Sequence, residues 1–150
     1  MWRIGAGLLV AALMGGGGPA FGAGVCRVIR VVDGDTLQLD CGQGARRVRL
    51  LGFDTPEIRH PRCAAEAVAG RMAGAMLTGL VASAPVTGVQ VTGQDRYGRD
   101  LASLAIGGQD VALFMLGTGL ALPYQGHAHP DWCARLAAGQ PAADDPTERH

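Results

Sequence analysis

Residues 36–41, TLQLDC, alternate strictly: Leu37, Leu39 and Cys41 fall on one face, and Thr36, Gln38 and Asp40 on the other. A period of two is that of a strand with one buried side. Strand-like segments flank it. CRVIRVVD (26–33) is rich in β-branched residues, and Asp33-Gly34-Asp35 supplies a hairpin turn between the two. Gly42–Gly44 marks a second turn. RRVRLLGF (46–53) then sets Val48 and Leu50 on one face against Arg47 and Arg49 on the other. Turns this short join strands antiparallel.

Downstream, a loop runs from Asp54 to Arg62 and carries two prolines. Residues 64 to about 82 have helical spacing, with Val68, Met72, Met76 and Leu80 on one stripe that is expected to face the core. Gly70, Gly74 and Gly79 each weaken that helix by ~1 kcal/mol against Ala, unless close packing uses them. VTGVQVT (86–92) and LASLAI (101–106) are two further strands joined by GQDRYGRD. A short helix is expected over 110–117, and GLALPY (119–124) is extended. With 48% hydrophobic but only 5% aromatic residues, the core must be built from aliphatic side chains. The expected fold is α+β and mainly β: a small five-stranded OB-type Greek-key barrel with one long and one short helix.

The N-terminal MWRIGAGLLVAALMGGGGPAFGAG has one early Arg, an apolar run over 4–14 and then small residues, the layout of a secretory signal peptide over residues 1–23. The apolar run is about half the ~20 residues a membrane span needs, so no stable membrane association is expected after cleavage. The domain is expected over 24–136, followed by a polar, proline-containing disordered tail over 137–150. Removing the leader takes away Arg3 and leaves twelve arginines against thirteen carboxylates, a charge of about −1. There is no lysine, so an anionic partner must be held by a local cluster of arginines. The four cysteines all lie beyond the leader and form no C-x-x-C, which favours disulfides over metal or redox chemistry. Cys26 and Cys41 are symmetric about the first hairpin turn and are expected to pair, leaving Cys63 for Cys133. Both features point to a secreted or periplasmic location.

Several mechanisms find no support. Neither serine sits in a G-x-S-x-G elbow, and H-E-x-x-H does not occur. His127-Ala-His129 reads as part of a flexible polar loop rather than a metal site. Carboxylates and arginines remain: Asp33 and Asp35 at a hairpin tip, Arg49 with Asp54, Thr55 and Glu57 at a strand end, and Arg99 in a second tip. Taken singly, Asp-Gly and Asp-Thr-Pro are turn sequences. Arg49 is different, because an unpaired charge inside an apolar strand costs several kcal/mol. Together they suit phosphodiester hydrolysis. Asp35, Asp54 and the Thr55 carbonyl offer hard oxygen ligands to a cation that neutralises phosphate and orients water. Glu57 is placed as the general base for that water. Arg49 and Arg99 offer planar forks to the oxygens of a five-coordinate transition state.

VIRVVDGDTLQL, VRLLGFDTPEIRHP, DRYGRDLA and the GLA after the short helix occur in that order over residues 25 to about 124. With this set the chain resembles the staphylococcal-nuclease-type thermonucleases. The resemblance implies an OB-type barrel with helices and Ca²⁺-dependent hydrolysis of DNA and/or RNA, leaving 3′-phosphate ends. It implies one Ca²⁺ held by Asp35, Asp54 and Thr55, with Asp33 behind them. It makes Arg49 and Arg99 the catalytic arginines and Glu57 the base, and places Arg96, Tyr97 and Tyr124 at a terminal nucleotide phosphate. The chain departs from the family's well-known members in being neutral and lysine-free, in its four cysteines and in a curtailed last helix. A monomer is expected. Two other readings compete with the enzyme: an inactive OB-fold module that binds nucleic acid or nucleotide, and a structural exported domain whose charges form an ion-pair network.

Overall fold

The computed structural model describes residues 25–139; the expected leader and residues 140–150 of the expected tail lie outside the described residues. The alternating segment becomes β2 (Thr36–Asp40), paired antiparallel with β1 (Arg27–Val31) before it and β3 (Ala45–Leu50) after it. Leu37 and Leu39 are buried, as the alternation requires. A sharp bend at Leu51 leads into β4 (Gly52–Asp54). Gly52 has φ +92°, a conformation that costs glycine little and other residues much. After the 55–62 loop come α1 (Ala64–Ser83), β5 (Val86–Gln94), β6 (Asp100–Ile106), β7 (Gln109–Asp110), α2 (Val111–Gly117), β8 (Leu122–Tyr124) and α3 (Trp132–Ala137).

The main sheet runs β1-β2-β3-β6-β5, with the short β7 on β6; β3 and β6 are parallel and the other pairs antiparallel. β4 and β8 form a separate two-stranded ribbon. Five long strands are present in a partly open arrangement, but the strand expected over 46–53 stops at Leu50, and its last residues turn away at Leu51 to pair with β8. Among the described residues no ladder joins β1 to β5, so the expected barrel does not close. Beyond the long and short pair stands a third helix, α3, at the place of the curtailed last helix that the resemblance implies, and it has six residues. It starts because the Asp131 side chain accepts the Ala134 N–H (3.1 Å), a cap that local sequence supplies. Among the described residues no helix is long and apolar enough to cross a membrane.

The stripe expected to bury α1 is corrected. Val68, Met72 and Met76 are 49%, 52% and 40% exposed, and of that stripe only Leu80 is buried. The inward face instead carries Ala69, Gly70, Ala73, Leu77 and Leu80. Small residues face inward because α1 lies directly against backbone. A Cβ on Gly70 would stand 2.7 Å from the Pro56 carbonyl oxygen, and one on Gly34 would stand 2.7 Å from the Ala73 Cβ. The hydrophobicity of methionine therefore yields to the close approach that holds the Asp33–Asp35 tip and the Pro56–Ile58 loop. The core behind them is aliphatic around Phe53, with Leu37, Leu50, Leu77, Ile106 and Met115.

Cys26 is bonded to Cys41 and Cys63 to Cys133, with Cα–Cα distances of 4.0 and 6.0 Å. The first bridge closes the β1–β2 hairpin and the second ties α3 to the start of α1. By the loop-entropy model they contribute about 3 and about 4 kcal/mol.

The glycines of α1 give opposite expectations. Gly70→Ala should lower unfolding free energy by about 1–3 kcal/mol through overpacking, despite its gain in helix propensity. Gly79, which faces open space, should gain up to ~1 kcal/mol as Ala. Urea denaturation of the two variants decides. Equal effects of one sign would contradict the close-approach account.

Candidate active site

Arg49 is the centre of the cleft. It sits next to the end of β3 with its side chain 8% exposed. The bend at Gly52 turns the chain back, so that Arg49 Nη1 donates to the carbonyls of Leu50 (2.6 Å) and Phe53 (3.1 Å). Its other terminal nitrogen, Nη2, lies 3.3 Å from Asp54 Oδ1 and 3.3 Å from Asp35 Oδ2. The five-residue spacing from Arg49 to Asp54 is thus the length of chain needed to round the bend. Asp35 arrives from the hairpin tip, since Thr36 pairs with Arg49 in the β2–β3 register. Two carboxylates, 9% and 4% exposed as residues, therefore share one guanidinium.

Hydroxyls hold this group. Thr55 donates to Asp35 Oδ2 (3.2 Å) and Thr36 donates to Asp35 Oδ1 (2.9 Å). The Thr36 hydroxyl also accepts from Arg99 Nη1 (3.3 Å), linking the second guanidinium to the first carboxylate. Arg99 Nε donates to Asp95 (2.7 Å) in its own turn. Burial alone would raise the Asp95 carboxyl, but its hydrogen bonds from Arg99 and the Tyr97 N–H outweigh that and hold it below its usual value. Asp33 accepts the Asp35 N–H at 3.2 Å. Its own carboxyl is pushed up to about 6, first by burial and then by the charge of Asp35.

A cleft of about 710 Å³ opens over these groups, and Asp33, Asp35, Arg49, Asp54, Thr55, Glu57, Tyr97 and Arg99 all reach it. Glu57 is exposed, and its Oε1 accepts the N–H groups of Ile58 and Arg59, each at 2.8 Å. Tyr97 is bracketed by two guanidinium groups, Arg96 at 4.8 Å and Arg99 at 5.7 Å from the ring centre. Arg96 itself is exposed and bonds to the Tyr97 hydroxyl. Tyr124 stands behind Arg49, whose guanidinium lies 5.7 Å from its ring centre.

Other residues reach the site without having been anticipated there. His129, expected in a flexible polar loop, has Nδ1 2.8 Å from Asp54 Oδ1, and Trp132 Nε1 donates to Asp54 Oδ2 at 3.0 Å. These contacts span 75 and 78 residues of sequence, so no local pattern carries them. Arg59, His60 and Arg62 add positive or titratable groups to the rim. Buried Glu66 accepts the N–H groups of Glu57 (3.3 Å) and Arg62 (2.7 Å), fixing the ends of the loop that bears Glu57. Glu66 also clusters with Cys63 and Cys133, but their mutual bond leaves no thiolate for a metal.

The donor set fits a hard divalent cation. Asp35, Asp54 and Thr55 offer oxygen ligands, and the two buried carboxylates of Asp35 and Asp54 face the single guanidinium of Arg49. Residues 47–143 match the family model described as staphylococcal nuclease homologue. The chain belongs to that family. A protein of Escherichia coli named as an uncharacterized endonuclease is 38% identical over 100 residues, 66% of this chain and 60% of that protein. One of the same name from Haemophilus influenzae is 33% identical over 105 residues, 69% of this chain and 54% of its own length. The chain thus spans somewhat over half the length of these relatives.

Asp33 gives the metal-free site a pH signature. A carboxyl raised in the folded state contributes stability that is fully present below its unfolded value of 3.8 and is lost as pH rises through about 6. Asp33→Asn removes that loss. In chelator it should melt about 3–5 °C above the unsubstituted protein at pH 8, the equivalent of ~1 kcal/mol after allowance for solvent access. The gap should close towards pH 4. A difference that instead grew with acid would contradict the placement of Asp33.

Proposed function

We propose that the chain is a metal-dependent phosphodiesterase of the thermonuclease type that cleaves DNA and/or RNA outside the cytoplasm. The observation that carries this reading is the sharing of Arg49 Nη2 by Asp35 and Asp54 in a cleft that Arg99 also lines. A structural ion pair has no use for the excess of buried negative charge. A site for a cation beside a phosphate does. Two disulfides agree with an oxidising compartment.

Asp35, Asp54 and the Thr55 carbonyl would hold one hard cation, Ca²⁺ by family resemblance, which supplies charge neutralisation of the phosphate and a positioned, acidified water. The chain's own residues do the rest. Glu57 accepts the proton of the attacking water; its Oε1 is already engaged by backbone N–H groups, which hold the carboxylate in place. Arg49 meets one phosphate oxygen and keeps its own orientation through the Leu50 and Phe53 carbonyls. Arg99, held by Asp95 and Thr36, offers a fork to the oxygens whose charge grows in the five-coordinate transition state. Tyr97 lines the cleft and would meet a terminal phosphate, with Arg96 against its ring and Tyr124 against Arg49, although neither Arg96 nor Tyr124 lines the cleft. Cleavage on the 5′-oxygen side leaves the 3′-phosphate that the resemblance implies.

Plasmid cleavage should stop in chelator and return with added Ca²⁺. Glu57→Gln should lose about 10²–10⁴-fold in rate. Arg99→Lys keeps the charge but not the fork, and should depress kcat more than it raises KM. Near-full activity of Glu57→Gln would remove the base assignment, and a change in KM alone would reduce Arg99 to substrate holding.

A further inference from the structure

We propose that Trp132 and His129 are positioning residues for Asp54, and that the Cys63–Cys133 bridge exists to hold them there. The inference rests on the reading of Asp54 as a cation ligand. It concerns a segment, 125–133, that the motifs of the family resemblance do not reach.

Asp54 is held from three directions. Arg49 Nη2 (3.3 Å) and His129 Nδ1 (2.8 Å) meet Oδ1, and the Trp132 indole N–H meets Oδ2 at 3.0 Å. A carboxylate that binds a cation can only accept, so the contact requires hydrogen on His129 Nδ1. The terminal torsion of an aspartate is soft, and three donors on fixed bearings remove that freedom. They also decide what is left. A carboxylate has about four lone-pair sites. Two on Oδ1 and one on Oδ2 are taken, which leaves one on Oδ2 to bind a cation through a single oxygen.

The donors are themselves fixed. Trp132 is 3% exposed and packs on Leu122, the residue paired with Asp54 across the β4–β8 ribbon. His129 stacks on Tyr124, with ring centres 4.9 Å apart and planes 16° from parallel. Arg62 donates to the Pro130 carbonyl (3.1 Å) between them. Strand pairing ends at Tyr124, and the six-residue α3 is too short to fold by itself. Cys133, adjacent to Trp132, is joined to Cys63 at the head of α1. The covalent bond thus sets the indole where weak local structure would not.

Outer partners that orient a metal-binding carboxylate typically change affinity 10–100-fold. The test uses the full-length chain carrying Trp2→Phe, in which Trp132 is the sole tryptophan. Ca²⁺ is titrated in, with tryptophan emission and calorimetry read together. Trp132 emission should change with the calorimetric midpoint, and Asp54→Asn should abolish the change. His129→Ala, at an exposed side chain, should weaken Ca²⁺ 10-fold or more with the melting temperature held. His129→Gln, which keeps an N–H donor, should recover most of that loss. Folded Trp132→Phe should also bind Ca²⁺ 10–100-fold more weakly. Unchanged affinity in folded His129→Ala and Trp132→Phe would overturn the positioning role while leaving the cation site standing. So would an emission silent to Ca²⁺ that calorimetry sees bind. Calorimetry showing no Ca²⁺ uptake by the unsubstituted protein would remove the cation-site reading, and this inference with it.

Discussion

A single guanidinium, that of Arg49, sets the geometry of the cleft. It is nearly sealed from solvent, so its charge must be met at short range, and the chain meets it with two carbonyls and two carboxylates. Each partner comes from a different piece of local structure. The bend at Gly52 turns Phe53 and Asp54 back under the side chain. The β2–β3 register delivers Asp35. The close approach of α1 at Gly34 and Gly70 keeps the hairpin tip and the Pro56–Ile58 loop pressed together. Opening any of these contacts would leave a charge buried without its partner, a loss of about 3–5 kcal/mol.

The same arrangement is poor as a device for stability alone. Burying two carboxylates against one guanidinium costs more in desolvation than an apolar trio of the same volume. Asp33 adds a third carboxyl to the group, already raised by burial and then by the charge of Asp35. A fold that keeps this negative excess at the floor of a cleft, and sets the arginines Arg49 and Arg99 beside it, is arranged around ligands that supply the missing positive charge and take up the positive rim. In the proposed reaction those are a divalent cation and a phosphate.

Much of this was legible in the sequence because the relevant spacing is local. Alternation in 36–41 set the buried face of β2, and the symmetry of Cys26 and Cys41 about the hairpin turn matched their bond, whereas the bend at Leu51 interrupts what 46–53 reads as one strand. Failure came where backbone contact or distance in sequence decides. Val68, Met72 and Met76 form a good apolar stripe, but α1 turns its glycines and alanines inward because backbone must touch backbone there. His129 and Trp132 reach Asp54 across more than seventy residues, and nothing in HAHPDW distinguishes them from a polar turn followed by a short helix. Barrel closure likewise depends on strands far apart in the chain, and β1 and β5 remain separate edges.

The most direct measurement is anomalous diffraction from crystals soaked in Ca²⁺. One ion is expected, bonded at about 2.3–2.6 Å to carboxylate oxygens of Asp35 and Asp54 and to the Thr55 carbonyl. The Asp54 bond should run through Oδ2 alone, with the Trp132 indole still on that oxygen. An ion at saturating Ca²⁺ that avoids both aspartates, or no ion at all beside Arg49, would contradict the cation-site reading.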